Sequence, residues 1–230
     1  YDFYDSCSKN PSKALFMMSL STPNSLNLWD SHKEPMLSEF CQKYYWSTPN
    51  FLTPEQVDLL LRRAQTVEEE GLLKKAAIGK GDHKKRDSEI RSDKIKWIND
   101  FSGSTGELIH SIFGGLQSLA KSELYLPAKR YECHFAKYEK GDLYKRHSDR
   151  HSFLPGRLIT CVVYLSDLEE GSGGELILYD EELRPIKVVP KAGRIVVFDS
   201  AIEHEVKPSG KTRWSLTGWL REDLHPGLRV

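Results

Sequence analysis

From Val57 onward the apolar residues recur at helical spacing. Val57, Leu60, Leu61 and Ala64 share one face, with charged residues between them. Just upstream, Thr53-Pro54-Glu55-Gln56 offers a capping Thr, a Pro in the first turn and a Gln three residues past the cap, so a helix is predicted to start there. Gly71 supplies its stop. A second helix is predicted over residues 105–121, with Leu108, Ile109, Ile112, Leu116 and Leu119 inward. After Tyr131 the period changes. Short β-rich runs follow, divided by Gly, Pro and Asp: Arg157–Leu165, Glu175–Tyr179, Ile186–Val189, Arg194–Phe198, His204–Val206 and Arg213–Leu220. Short strands with no helical pattern between them imply an antiparallel sandwich or barrel, not a parallel sheet. The expected class is therefore α+β, mainly β: a double-sheet jelly roll with supporting N-terminal helices.

Residues 1–35 are rich in Ser, Asn, Pro and Lys and show little period. Leu37, Phe40, Tyr44, Tyr45 and Trp46 are too apolar for a free tail. The expected organisation is an N-terminal extension, 1–48, packed on a domain spanning 49–230.

Composition narrows the class. With 230 residues, 39% hydrophobic and 29% charged, the chain can bury a large core and reads as an ordinary soluble globular protein. Lys+Arg and Asp+Glu balance at 33 each, which gives no support to nucleic acid or an anionic membrane as partner. Cys7, Cys41, Cys133 and Cys161 form no C-x-x-C pair. Four scattered Cys point to a reducing compartment, and a cytoplasmic location is expected. The apolar run Ala14–Leu20 is too short to span a bilayer.

The chemistry centres on His147-Ser148-Asp149. Residues i and i+2 of an extended segment share a face, so one imidazole and one carboxylate can grip one ion. His204 lies 57 residues on, at a predicted strand start where a second strand can return to the same mouth. Two His and one carboxylate leave three positions open on an octahedral metal, which points to non-haem Fe(II) rather than a closed zinc site. Arg213 lies nine residues past His204, a spacing that allows a turn around Pro208-Ser209-Gly210 and a neighbouring antiparallel strand. A lone guanidinium near the open side suits a dicarboxylate. Tyr138 lies nine residues before His147, across the Gly141-Asp142 turn. His134, in the run Tyr131–Lys137, reads as a packed or cavity-wall residue, and His83, His110 and His225 as surface.

This run of Tyr138, Tyr144, His147-x-Asp149, His204 and Arg213 resembles the 2-oxoglutarate- and Fe(II)-dependent dioxygenases. More closely it resembles the prolyl hydroxylases that act on hypoxia-inducible factor and their bacterial relatives that act on elongation factor Tu. The likeness runs from Phe51 to Trp219. Glu89-Ile90-Arg91-Ser92-Asp93-Lys94-Ile95-Lys96-Trp97 resembles that family's Ile-Arg-Gly-Asp-Lys-Ile-x-Trp stretch. Thr160 to Leu165 resembles its cofactor-lining strand, and Gly173-Gly174-Glu175-Leu176 its Gly-Gly-x-Leu turn. The chain departs from the pattern at Ser92, where Gly is typical, and at Arg150, where the animal enzymes usually carry Asn.

The resemblance implies a double-stranded β-helix with iron on His147, Asp149 and His204. It implies Arg213 on the distal carboxylate of 2-oxoglutarate, hydrogen-bonded also by Tyr138, with Thr160, Tyr164 and Trp219 lining the pocket. The cofactors implied are Fe(II), 2-oxoglutarate as cosubstrate, O2 and ascorbate (vitamin C). The activity implied is protein prolyl 4-hydroxylation, in which 2-oxoglutarate is oxidatively decarboxylated to succinate and CO2. The substrate would be a Pro-containing loop of a translation or transcription factor, with an oxygen-sensing role open. Asp93, Arg157, Arg91, Trp97 and Tyr144 would contact it, and Asp93 would pair with Arg157. The segment Ile78–Arg91, carrying Lys80, Lys84, Lys85 and Arg86, would be a lid over the substrate. Two alternatives stand beside this: an oxygenase acting on another residue or a small molecule, and a non-catalytic binding module on the same fold.

Overall fold

The structure, a computed structural model, describes residues 28–76, 89–150 and 156–223. Trp29 is buried, and its indole N–H donates to the Ile112 carbonyl at 3.0 Å. Helix α1, Lys33–Lys43, buries Met36 and Phe40, which lie one turn apart on a single face. It ends at Tyr44, which takes a left-handed conformation with φ 60°. Strand β1, Tyr45–Thr48, follows at once and buries Trp46. This N-terminal part therefore lies on the core, and its last four residues form an edge strand.

Helix α2, Pro54–Glu69, starts where the sequence predicts. The Gln56 N–H donates to Thr53 Oγ1 at 3.3 Å and the Thr53 N–H to Gln56 Oε1 at 3.0 Å, closing the capping box. It buries Val57, Leu60, Ala64 and Val67. Strands β2, Lys74–Lys75, and β3, Lys94–Trp97, lead to helix α3, Gly103–Ser122. Phe113 and Ala120 join Leu108, Ile109, Ile112 and Leu116 on its buried face, whereas Leu119 is only half-buried. Each large side chain in such a face contributes roughly 1.5–3 kcal/mol on burial, so tertiary packing holds this Gly-containing helix.

The remaining strands are β4 (Arg130–Tyr138), β5 (Tyr144–His147), β6 (Arg157–Tyr164), β7 (Leu176–Tyr179), β8 (Pro185–Val188), β9 (Ile195–Asp199), β10 (His204–Val206) and β11 (Arg213–Arg221). They build two antiparallel sheets. The larger has the order β1-β9-β6-β11-β4-β3-β2, and the smaller has the order β5-β10-β7-β8. This is the expected jelly roll. Period two sorts the larger sheet's side chains. Cys133, Phe135, Ile159, Cys161, Val163, Leu216 and Leu220 pack on the helices. Ala136, Tyr138, Val162, Tyr164, Val196 and Phe198 face the smaller sheet.

One expectation about connectivity fails. Arg213 does not begin a strand beside β10. β11 pairs with β4 and β6 in the other sheet. The turn around Ser209 is a crossover between sheets, as is the turn around Gly141, where φ is 91°. The two crossovers bond to each other: the Gly141 N–H donates to the Ser209 carbonyl at 2.7 Å and the Ser209 N–H to the Asp142 carbonyl at 2.9 Å. Every backbone polar group needs a partner, and here one crossover supplies the other. Among the described residues no helix is long and apolar enough to cross a membrane.

Candidate metal centre

β5 and β10 are neighbours in the smaller sheet, and their register sets His147 directly opposite His204. The imidazole centroids lie 4.3 Å apart. Asp149 comes just after β5, in a bend, so strand period alone does not aim it. Hydrogen bonds do. Thr160 Oγ1 on β6 donates to Asp149 Oδ2 at 2.8 Å, and Arg157 Nη1 donates to Oδ1 at 3.3 Å. The Arg150 N–H anchors the bend on the Ser200 carbonyl at 2.8 Å. One ligand atom from each of His147, Asp149 and His204 then falls within 4.8 Å of the others.

The protonation pattern suits a cation. The Nδ1–H of His147 donates to the Lys145 carbonyl at 2.7 Å, and that of His204 to the Ile202 carbonyl at 2.9 Å. A carbonyl only accepts, so Nδ1 carries the proton in each ring and Nε2 is the atom left to offer a metal. Those Nε2 atoms lie 3.9 and 3.5 Å from the Asp149 oxygens. Burial, then His204, lowers the His147 pKa to about 3, so the ring is neutral at pH 7. Burial alone would raise the Asp149 pKa, but His204, Arg157 and His147 outweigh it and hold the carboxyl below its usual range. Two ring nitrogens and a carboxylate converging on one point form a donor set that a cation between them completes. The donor set therefore fits a divalent metal, and its imidazole–carboxylate character fits Fe(II).

Arg213 opens β11 opposite Tyr138 and is 3% exposed. Its guanidinium carbon lies 4.5 Å from the Tyr138 ring centroid and 5.2 Å from that of Tyr164. Nη1 donates to the Gly174 carbonyl at 2.6 Å, Nε has no partner, and the Tyr164 hydroxyl lies near the guanidinium without a well-aligned hydrogen bond. Gly174 can turn its carbonyl inward because its φ of +76° is open to glycine. Burial raises both the Tyr138 and the Tyr164 pKa, so the phenols stay protonated donors. No described carboxylate pairs with Arg213. A buried cation without a counter-ion is costly, and this one lines the same cavity as the three ligand residues. The arrangement accommodates an anion whose far end reaches the metal position.

The remaining predicted residues divide. Arg91, Asp93, Tyr144, Thr160 and Trp219 line the cavity. Tyr144 stacks on His147 with centroids 3.5 Å apart, and Arg91 lies over Tyr144 at 4.5 Å. Trp97 stands at the mouth, 39% exposed. The expected Asp93–Arg157 ion pair does not form. Arg91, two residues away, takes both Asp93 oxygens at 2.6 and 3.0 Å. Arg157 is already held by Glu132 at 3.2 Å and by Asp149, and it lies 3.5 Å over the Trp219 ring. A bidentate fork within reach along the chain wins over a distant partner. Glu132 and Ser200 went unremarked in the sequence, yet Glu132 holds Arg157, and Ser200 Oγ lies 2.9 Å from Thr160 Oγ1. Period two from His134 would have placed Glu132 on the same strand face. Of the predicted lid, only 89–91 fall within the described residues; 78–88 lie outside them, as do His83 and His225. His110 is exposed, with Nδ1 3.0 Å from the Tyr131 hydroxyl.

Comparison with known proteins bears on this geometry. Residues 133–221 match the family model described as 2OG-Fe(II) oxygenase superfamily. The chain is 29% identical over 180 residues to prolyl hydroxylase EGLN3 of Mus musculus, covering 74% of this chain and 75% of that protein. It is 32% identical over 147 residues to Egl nine homolog 1 of Homo sapiens, 57% of this chain but 33% of that one. Among solved structures, a Pseudomonas putida prolyl-4-hydroxylase superposes with a TM-score of 0.75 at 30% identity, covering 82% of this chain and 98% of that one. A prolyl hydroxylase from Trichoplax adhaerens, solved with a hypoxia inducible factor peptide fragment, has a TM-score of 0.74 at 22% identity over 94% of each chain, a likeness of fold.

Proposed function

The chain belongs to the 2OG-Fe(II) oxygenase superfamily and is a dioxygenase that uses Fe(II), 2-oxoglutarate and O2; from that premise we propose that it is a protein prolyl 4-hydroxylase whose iron is held by His147, Asp149 and His204. The observation that carries the reading is Arg213: a buried cation with no described carboxylate partner, in the same cavity as the three convergent ligand atoms. Prolyl specificity is supported by the likeness to the Pseudomonas putida prolyl-4-hydroxylase, which this chain spans almost entirely.

Bound iron, with 2-oxoglutarate and O2, supplies the oxidative decarboxylation to succinate and CO2 and the hydroxylation of a C–H bond. This chain's residues set the stage for it. The carbonyls of Lys145 and Ile202 fix both imidazole tautomers. Thr160 and Arg157 orient the Asp149 carboxylate. Arg213, with Tyr138 and Tyr164 as donors, seats the distal carboxylate of 2-oxoglutarate. Phe198, edge-on to His204 at 4.8 Å, and Val162 and Leu176 keep the wall apolar and exclude water.

The substrate is a Pro-containing loop of another protein, a translation or transcription factor. It approaches past Trp97, with the Arg91–Asp93 pair and Tyr144 at the rim. Residues 49–230 form the catalytic domain, on which residues 28–48 pack. Cys41, Cys133 and Cys161 are free thiols, which fits a reducing, cytoplasmic setting. The test is mass spectrometry of Pro-containing peptides incubated with protein, Fe(II), 2-oxoglutarate and O2. The expected result is a gain of one oxygen on Pro that is lost with His147→Ala. Oxygen added to another residue type, or to none, contradicts the prolyl assignment.

A further inference from the structure

His134 carries no role so far. It lies on β4, where period two puts it on the same inner face as Ala136 and Tyr138. The register sets Tyr138 opposite Arg213 and His134 opposite Thr217. Along the strand, His134 is thus four residues, about 13 Å, from the Arg213 end of the cavity. It is 1% exposed, and its Nδ1 has no hydrogen-bond partner. Trp219 is 4% exposed, its indole Nε1 makes no well-aligned hydrogen bond although the Asp149 carboxylate is near enough to draw it, and its ring centroid lies 5.3 Å from that of His134. One buried ring nitrogen without a partner and a neighbouring indole N–H without a well-aligned one, both on residues lining one cavity, leave room for a ligand atom.

The chemistry of that ligand follows. An indole N–H only donates, so its partner is an acceptor oxygen. Trp97 closes over the pair, edge-on to His134 at 4.9 Å and 5.8 Å from Trp219. A group that reaches beneath it is small, not a peptide backbone passing the mouth. Burial, then Arg91 and Arg157, lower the His134 pKa against the opposing pull of Asp149, so the ring is neutral and free to hydrogen-bond a ligand. One carboxylate of the cosubstrate has its seat at Arg213. We propose that His134 and Trp219 form a second polar seat that hydrogen-bonds the other, metal-side carboxylate of the 2-oxo acid, which makes His134 a determinant of cosubstrate choice. This rests on the cosubstrate reading given above.

The experiment measures binding without turnover, on Zn(II)-loaded protein, by calorimetry and ligand-observed NMR. Three probes divide the molecule: 2-oxoglutarate; 2-oxobutanoate, which lacks the distal carboxylate; and 4-oxopentanoate, which has a methyl in place of the metal-side carboxylate. His134→Leu and Trp219→Phe should each weaken 2-oxoglutarate and 2-oxobutanoate roughly tenfold and leave 4-oxopentanoate unchanged. His134→Asn, which keeps a polar atom near the Nδ1 position, should restore most of the loss. Arg213→Met should show the opposite pattern, weakening 2-oxoglutarate and 4-oxopentanoate but not 2-oxobutanoate. Unchanged affinities in His134→Leu overturn the seat. So does an equal loss for all three probes, which marks a structural role, or a loss confined to Pro-peptide binding, which assigns the pair to the substrate. If the unsubstituted protein binds no 2-oxoglutarate, the cosubstrate reading itself falls and takes the seat with it.

Discussion

Replace Arg213 with Met. The substitution keeps most of the length and apolar stem but removes the charge and all five donors. In the apo protein the guanidinium has one charge-assisted bond, to Gly174 at 2.6 Å, and two ring faces at 4.5 and 5.2 Å. These recover roughly 3 kcal/mol. Burying the unpaired charge costs several kcal/mol. The two nearly cancel, so apo stability should change by less than about 1 kcal/mol. Ligand binding does not cancel. A bidentate carboxylate contact loses two charge-assisted bonds, together about 3 kcal/mol at the low end, or on the order of 100-fold in Kd. The assay is urea unfolding of Zn(II)-loaded protein with and without 2-oxoglutarate at about 100 times the wild-type Kd. Wild type should gain about 2.7 kcal/mol, and the variant, with Kd raised to the ligand concentration, about 0.4 kcal/mol. A variant that loses several kcal/mol without ligand would show Arg213 to be structural. A variant that keeps the full ligand-induced gain would refute the dicarboxylate seat.

Other consequences are as direct. Thr160→Val removes the 2.8 Å bond to Asp149 at nearly constant volume, and metal affinity by competition with a chelator should fall about 10–100-fold; an unchanged affinity contradicts the positioning role. Apo stability should fall with pH. His147 titrates near 3 when folded against 6.5 unfolded, and the His134 pKa is lowered too, so the unfolded chain takes up these protons first. That stability is present above about pH 6.5 and is lost as pH falls toward 3, with a slope of up to about 2.7 kcal/mol per unit for the two groups. Urea midpoints in chelator that stay flat between pH 7 and 5 would contradict it. Gly218→Ala would bring a Cβ within 2.6 Å of Phe113 and 2.7 Å of the Glu132 carbonyl, where the helix meets the sheet. It should destabilise by about 1–3 kcal/mol in thermal unfolding, and a neutral result would mean that α3 is free to move away.

The features legible in the sequence are those with short-range causes. The Thr53 capping box places the start of α2, and the β-rich runs Arg157–Leu165 and Arg213–Leu220 predict strands, which the structure buries on both faces. His147, Asp149, His204 and Arg213 stood out because a ligand set needs particular residue types at positions that strands can bring together. Sheet order was less accessible. Pro208-Ser209-Gly210 reads alike as a hairpin turn or as a crossover, and what decides is its bonding to the turn at Gly141, far away in sequence. The Asp93–Arg157 pairing failed for a related reason: charge alone did not rank Arg91, two residues away, above a remote partner. Glu132 and Ser200 act through Arg157 and Thr160, at one remove from the ligands; period two places Glu132 on the inner strand face but does not say what it holds, and Ser200 has no spacing signature. Strand β1 was not foreseen because a four-residue edge strand is too short for its period to show.

The central claim is that these three ligand atoms and Arg213 hold Fe(II) and 2-oxoglutarate together in one cavity. Anaerobic titration of Fe(II) into the protein with 2-oxoglutarate present tests it most directly, because joint binding gives a weak visible charge-transfer band. The account predicts a band that saturates at one iron per chain, vanishes with His204→Ala and needs far more 2-oxoglutarate with Arg213→Met. No band in the unsubstituted protein, or an equal band in all three proteins, would contradict it.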